Sequence, residues 1–193
     1  MEISTEIVKQ LRDRTGISVM QCRKALEEAE GDIEKAEVIL RKRSAGAAEK
    51  KADRELGAGA VGFYLHGAEI GAMVLLSCET DFVARNEEFP GLAREIAMQV
   101  AATNPTYLSD AEIPTEVRDA ALAVFKEEVA DKPADMQEKI LAGKMASYFR
   151  DSVLLEQPFI KDESKTIRDL LAEASQKFGE RVEVTKFARF SAR

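Results

Sequence analysis

The spacing of the apolar residues changes near residue 60, and this change limits the folds open to the chain. Before it, apolar residues recur every three or four positions, as in amphipathic helices. After it, segments 60–66 and 69–78 have the composition of strands and are separated by a turn at 66–68. Adjacent hairpin strands followed by clustered helices predict an α+β fold with an antiparallel sheet, and not a parallel βαβ arrangement.

Residues 1–45 are predicted to form a three-helix module. Ser4, Ser18 and Asp32 are expected N-caps, and Gly16 and Gly31 are expected to end the first two helices. Each helix has one apolar face, and the second has Val19 on that face. A bundle of about 45 residues is near the lower limit for folding alone.

Two residues of this module, Arg12 and Met20, lie off the predicted core faces. Met20 is about 100° around the helix from Val19. Both residues are either contacts for a partner or ordinary surface residues, and the spacing alone does not decide between these alternatives.

Residues 46–59 are predicted to be a linker, and residues 60–193 to be an α+β core. In the core we expect helices starting near residues 87, 114, 134 and 166, and further strands at 152–159 and 181–190. The linker and the end of the preceding helix are basic, through Arg41, Lys42, Arg43, Lys50, Lys51 and Arg54. Such a run can contact nucleic acid, but no aromatic residues alternate with it, and a solvated linker, either helical or flexible, is the favoured alternative.

Composition excludes several classes of function. The net charge of −7 lies beyond residue 56, which argues against direct nucleic-acid binding. Two distant cysteines and a single histidine, His66, leave little for a metal site or a catalytic triad. The glycines at 57, 59 and 62 match GxGxxG but precede a strand, the wrong context for a dinucleotide. We expect no enzyme active site, no cofactor, no membrane span and a cytoplasmic location.

The junction TDFVARN at residues 80–86 carries the most specific functional signal. It follows the apolar run 70–78 and precedes a helix-like segment, and such junctions lie at the surface and often carry function. An exposed Phe82 would contact a partner protein. The alternative is that Phe82 packs beneath the next helix, which the local pattern favours because apolar side chains are usually buried.

Several separated segments resemble the elongation factor Ts family in the same order along the chain. The N-terminal residues from Leu11 to Ala36 resemble its ubiquitin-associated-like module, and TDFVARN resembles its signature segment. Further matches are HGAEIG at 66–71, IAMQVAA at 96–102 and QPFIKDESKT at 157–166. Together they cover nearly the whole chain, which makes the resemblance specific.

The resemblance implies a guanine-nucleotide exchange factor for the GTPase elongation factor Tu, acting in translation elongation and lacking enzyme chemistry of its own. In this family the signature inserts into the GTPase domain, disturbs the bound Mg²⁺ and loosens GDP. The matching residues here, which we call the wedge segment, are Thr80, Asp81, Phe82 and Val83.

The resemblance also implies two further contacts with the GTPase. Arg12, Val19 and Met20 match the residues with which the N-terminal module grips the same domain, and Val19 replaces a second Met found in some relatives. His66 and Gly67 match a turn that meets a different domain of the partner.

Longer members of the family have two core repeats, whereas one is visible here. Short members pair as homodimers, so the resemblance implies a homodimer in a two-plus-two complex with elongation factor Tu, with residues 60–193 forming the dimerisation domain. Two alternatives stay open. One is a binding module that does not affect nucleotide release, and the other is a small enzyme that depends on His66.

Overall fold

A computed structural model describes residues 3–130 and 133–192 of the chain. The described residues form eight α-helices: α1 Thr5–Thr15, α2 Val19–Glu28, α3 Ile33–Glu49, α4 Asp81–Ala84, α5 Glu88–Thr103, α6 Thr115–Glu128, α7 Ala134–Arg150 and α8 Ile167–Phe178. They also form five strands: β1 Ala58–His66, β2 Ile70–Cys78, β3 Pro158–Phe159, β4 Asp162–Thr166 and β5 Val182–Ser191.

The three N-terminal helices begin at the residues whose side chains can cap them. Ser4 Oγ accepts a hydrogen bond from the N–H of Ile7 at 3.4 Å, and Asp32 Oδ1 accepts one from Lys35 at 3.1 Å. Gly16 ends α1 with a left-handed φ of 67°. The apolar faces of these helices meet in a core that includes Leu11, Ile17, Cys22, Ala25, Leu26, Ala36 and Leu40.

Helix α3 is longer than the sequence predicts, and it reaches the core of the protein. It ends at Glu49, inside the segment expected to be a linker, and it packs against α8. Arg41 donates to the carbonyl oxygen of Ser164 at 2.5 Å, and Lys51 Nζ donates to that of Ser175 at 2.7 Å. Basic side chains of this region therefore bind the protein's own core.

The main sheet confirms the predicted α+β class. Its order is β1-β2-β5, and both pairings are antiparallel. Helix α5 packs across one face of this sheet. A Cβ at Gly62 of β1 would lie 2.1 Å from the backbone carbonyl carbon of Ala93 in α5, so this close approach requires glycine.

The opposite face of the sheet is open to solvent and apolar. Every second side chain of β1 points to this face, and residues of β2 and β5 lie beside them in register. We call this surface the open sheet face; its large exposed apolar members are Val61, Phe63, Leu65, Met73 and Phe190. A contiguous exposed apolar surface of this kind is typical of a protein interface.

One predicted strand is wrong, and one real strand was missed. Residues 152–159, expected to be a strand, contain a 3-10 turn at Leu154–Glu156 and only the two-residue strand β3. Val153 and Leu154 are buried in the core, so their apolar character reports burial and not strand geometry. The partner of β3 is β4, whose polar sequence DESKT has no strand-like alternation.

Helices α6 and α7 pack on each other as a hairpin. The rings of Phe125 in α6 and Tyr148 in α7 meet edge to face, with 5.6 Å between their centroids. Phe149 is buried with Ile113 and Val153, and this small cluster holds the hairpin's base. Both helices begin after a proline, as the sequence predicts.

Candidate partner-binding site

The wedge segment lies where β2 ends, on the short helix α4. Thr80 is extended, with φ −127° and ψ 157°, and α4 begins at the next residue. The side chain of Phe82 is 83% exposed, whereas that of Val83 is only 5% exposed. The favoured local interpretation, in which Phe82 packs beneath the next helix, is therefore wrong, because Val83 is the residue that fills the core at this point.

Asp81 lies beside Phe82 at the surface. Its carboxylate pairs with the guanidinium of Arg85 at 3.1 Å, one helical turn further on, and both side chains are mostly exposed. An exposed pair of this kind contributes little to stability because water and salt screen it. The Asp81 carboxylate can therefore be redirected to another cation at small cost.

The backbone before α4 is held by a carboxylate from a distant part of the chain. Glu180, in the turn between α8 and β5, accepts hydrogen bonds at Oε2 from the N–H groups of Glu79 at 3.1 Å and Thr80 at 3.0 Å. Its Oε1 accepts a third from the hydroxyl of Thr80 at 2.5 Å. The entry to the wedge segment is thus attached to the α8–β5 turn.

Glu79 makes the reciprocal contact. Its Oε1 accepts a hydrogen bond from the N–H of Arg181 at 2.6 Å, and Arg54 pairs with the same oxygen at 3.1 Å. The hydrogen bond from the N–H of Arg181 is the main reason that the pKa of the Glu79 carboxyl lies below its usual range, and Arg54 lowers this pKa further. Glu79 therefore favours the folded arrangement in its ionised form.

The wedge segment is also anchored from below. Cys78 Sγ donates to the carbonyl oxygen of Thr80 at 3.2 Å, and burial raises the pKa of this thiol, which keeps its proton available for donation. Beyond α4, Phe89 is completely buried and packs edge to face on Phe178 at 5.7 Å. Phe82 is thus an exposed aromatic on a well-supported turn.

The N-terminal residues implied in partner binding flank the turn between α1 and α2. Arg12 is exposed near the end of α1, and Val19 and Met20 begin α2 with exposures of 50% and 69%. The expectation that Val19 lies on the core face is therefore wrong. Ser18 caps α2 and places these two side chains at its first turn.

This turn and the wedge segment lie on the same side of the protein. A Cβ at Gly16, in the α1–α2 turn, would be 3.0 Å from Lys177 of α8. Lys177 in turn pairs with Glu88, the first residue of α5 and a member of the surface around Phe82. Thr15 and Glu88 also line a common cleft. One partner surface can therefore contact both regions.

His66 and Gly67 lie at the other end of the β1–β2 hairpin. His66 pairs with Ile70, and β2 then runs nine residues to Cys78, roughly 26 Å at 3.3 Å per residue. His66 is exposed, and its Nδ1 lies 3.2 Å from the hydroxyl of Tyr64. Gly67 has a φ of 57°, which permits the tight turn. The structure does not bring these residues to the wedge segment.

Sequence reasoning missed Glu79, Lys177 and Glu180. Glu180 follows Gly179, the residue that ends α8, and the residues it binds lie 100 and 101 positions earlier. No local pattern carries such a pairing. A carboxylate directly after a helix-ending glycine is the only signal, and it is weak.

The described residues hold neither a metal-binding cluster nor a membrane-spanning helix. Among residues 3–130 and 133–192, no group of three or more His, Cys, Asp or Glu side chains is placed to hold a metal ion. Within the same ranges, every helix is either too short or too polar to span a lipid bilayer.

The architecture defines an α+β protein with a helical N-terminal bundle, and comparison with known proteins identifies its family. A family model described as elongation factor TS matches residues 48–193. The chain is 47% identical over 191 residues to elongation factor Ts of Thermodesulfovibrio yellowstonii, which covers 98% of this chain and 96% of the relative. It is 47% identical to that of Thermosipho melanesiensis over 192 residues and 49% identical to that of Leptospira biflexa over 193 residues, each covering 98% of both chains. The chain belongs to the elongation factor Ts family of translation elongation factors.

Proposed function

We propose that this protein is a guanine-nucleotide exchange factor for the GTPase elongation factor Tu. Membership of the elongation factor Ts family supports a partner of this class. The observation that carries the proposal is the exposure of Phe82, 83%, on a turn that is hydrogen-bonded and packed beneath. An apolar ring that a rigid backbone holds exposed to solvent is suited to burial in an interface with another molecule.

In the proposed mechanism, the wedge segment enters the GTPase domain. Phe82 supplies apolar contact area, with Val83 beneath it and Thr80 before it. Asp81 brings a carboxylate to the region of the partner's Mg²⁺ and phosphates and competes with their arrangement. A protein that binds the nucleotide-free GTPase more tightly than the GDP form weakens GDP binding by the same factor. GDP then leaves and GTP can bind, with no covalent step.

Two further contacts complete the proposed complex. Arg12, Val19 and Met20 grip the GTPase domain beside the wedge segment, on the side shared through Lys177 and Glu88. Met20 suits this role because its flexible thioether side chain adapts to the partner's surface. His66 and Gly67, about 26 Å away along the hairpin, reach a different domain of the partner.

We further propose a cytoplasmic homodimer that binds two GTPase molecules. In this scheme residues 1–45 form the partner-binding module, 46–59 the linker and 60–193 the core through which two copies pair. The open sheet face supports the pairing, because it presents several large apolar side chains, including Phe63, Leu65 and Phe190, to solvent. A second copy would bury this surface.

Release of fluorescent GDP from elongation factor Tu tests the exchange proposal. Catalytic amounts of the wild type should accelerate release. Phe82→Ala should reduce the effect about 30-fold or more, the effect of losing an interface hot spot. Val124→Ala is the control, because Val124 is an exposed apolar residue on α6, outside the proposed contacts. Full activity of Phe82→Ala would reject the wedge mechanism.

The same assay separates the alternative functions. A binding module would form a complex with the GTPase and leave the GDP release rate unchanged. An enzyme would show turnover of a substrate that is lost in His66→Ala. Acceleration of GDP release by substoichiometric protein is expected from the exchange factor alone.

A further inference from the structure

At the β2–α4 junction, the Thr80 side chain donates a hydrogen bond to Glu180, whereas a side chain before a helix usually accepts one. A Thr before a helix commonly accepts a hydrogen bond from the helix's own N–H groups. Thr80 occupies this position before α4, but its side chain makes no such bond. Its hydroxyl instead donates to Glu180 Oε1, and its N–H donates to Oε2. The start of α4 is therefore oriented by a residue outside the helix.

A four-residue helix needs such outside support. Isolated helices of this length are unstable, because too few hydrogen bonds offset the cost of fixing the backbone. Thr80, at its start, is held by hydrogen bonds to Glu180 and from the Cys78 thiol, and Val83 fixes its underside. Asp81 and Phe82 themselves are exposed, and the pair that Asp81 makes with Arg85 is a surface contact that water and salt screen.

The charges around Glu180 suit a fixed contact. Glu180 and Glu79 lie close together, because each carboxylate accepts a hydrogen bond from the backbone beside the other. Arg54 pairs with Glu79, and Arg181 donates to the carbonyl oxygen of Arg54 at 2.5 Å. The Arg54 guanidinium thus offsets part of the negative charge that the two carboxylates bring together.

We propose that Glu180 is a positioning residue for nucleotide exchange. It holds Thr80 and thereby sets the direction in which the side chains of Asp81 and Phe82 project from the protein surface. The inference rests on the proposed exchange function. It adds that productive insertion depends on the turn between α8 and β5, a region with no residue in the wedge segment. Positioning of this kind affects the step in which the wedge acts more than the formation of the complex.

Three substitutions separate geometry from charge. Glu180→Ala removes all three hydrogen bonds. Glu180→Asp keeps the charge but shortens the side chain by one methylene, so that it no longer reaches both N–H groups and the hydroxyl. Glu180→Gln loses the charge but keeps the length: its carbonyl oxygen can accept from the N–H groups while its amide donates to the hydroxyl of Thr80.

GDP-release kinetics with each variant test the proposal. Glu180→Ala and Glu180→Asp should lower kcat about tenfold with KM nearly unchanged, because orientation is lost while other contacts remain. Glu180→Gln should stay within about twofold of wild type. Glu112→Ala is the matched control, since Glu112 also accepts a backbone hydrogen bond, from Leu108 at 2.7 Å, at a different junction. Wild-type kcat in Glu180→Ala and Glu180→Asp, or loss of kcat in Glu180→Gln with full activity in Glu180→Asp, would overturn the inference.

A second measurement needs no partner. The chain has no tryptophan, so Phe82→Trp places a single tryptophan, which can be excited selectively over the three tyrosines, on the wedge segment. The fluorescence anisotropy of this tryptophan should fall when Glu180→Ala or Glu180→Asp is introduced into the Phe82→Trp protein, because the side chain becomes more mobile. It should be unchanged when Glu112→Ala is introduced. Equal anisotropy in all backgrounds would overturn the positioning role. If the wild type failed to accelerate GDP release from the GTPase, the exchange proposal would be rejected. The anisotropy result would still decide whether Glu180 orients α4.

Discussion

Glu79 and Glu180 each bind the backbone beside the other. The carboxylate of Glu180 accepts from the N–H of Glu79, and the carboxylate of Glu79 accepts from the N–H of Arg181, the residue after Glu180. This reciprocal pair joins the end of β2 to the start of β5 at the point where the chain leaves the sheet for α4. It therefore links the position of Phe82 to the integrity of the main sheet.

The first prediction concerns the pH dependence of stability. Because the folded state lowers the pKa of Glu79, its ionised carboxylate stabilises the fold above the unfolded pKa of about 4.3. That contribution is lost as the pH falls through the lower, folded-state pKa. We expect Glu79→Gln to reduce the free energy of unfolding at about pH 7, and the difference from wild type to shrink towards about pH 3. Urea unfolding across this range measures it, and a difference that stays constant with pH would contradict the assignment.

The second prediction compares two phenylalanines seven positions apart. Phe82→Ala should change the free energy of unfolding by less than about 0.5 kcal/mol, because the side chain is already in water. Phe89→Ala should cost about 3–5 kcal/mol, because it leaves a cavity beneath α5 beside Phe178. Denaturant unfolding of both variants checks this, and equal losses would show that Phe82 is packed in solution.

Much of the fold could be predicted from the sequence because its signals are local. Ser4, Asp32 and Thr166 cap helices as their positions indicate, and Gly16 ends α1. The predictions failed at positions where the apolar character of a residue does not indicate its secondary structure or its burial. The apolar run at 152–159 is buried without being a strand, and Val19 is apolar without being buried.

The third prediction concerns two glycines. Gly62→Ala should destabilise the protein by about 1–3 kcal/mol, because its Cβ would meet the backbone of Ala93 at 2.1 Å and force β1 and α5 apart. Gly46→Ala is the matched control inside α3, where an added Cβ meets nothing within 4 Å. It should stabilise by about 0.5–1 kcal/mol through helix propensity. Thermal unfolding should shift in opposite directions, and a shift of the same sign in both would refute the argument.

The fourth prediction tests the proposed homodimer. Phe63→Asp places a charge in the open sheet face and should yield a monomer, because burying an unpaired carboxylate is costly. Val38→Asp, at an exposed apolar residue of α3 away from that face, should remain dimeric. Sedimentation velocity over a range of concentrations measures both. A wild type that stays monomeric at every concentration would remove the dimer proposal.

The candidate site could be predicted only in part. The exposed wedge segment was indicated by a resemblance of residues 80–86, while the local apolar pattern pointed the other way. Glu180 could not be found, because hydrogen bonds to backbone N–H groups 100 residues away leave no trace in spacing or composition. The side shared by Gly16, Lys177 and Glu88 depends on how α1, α8 and α5 pack together, which is equally non-local.

The β1–β2 hairpin also restricts how the distance between its two ends can change. Adding one residue to each strand would turn the core side chains of Val74 and Leu76 outward and the open sheet face inward, since successive side chains alternate. Only paired additions of two residues keep the faces, and each lengthens the hairpin by about 7 Å. The distance from Phe82 to His66 can therefore change only in steps of two residues in each strand.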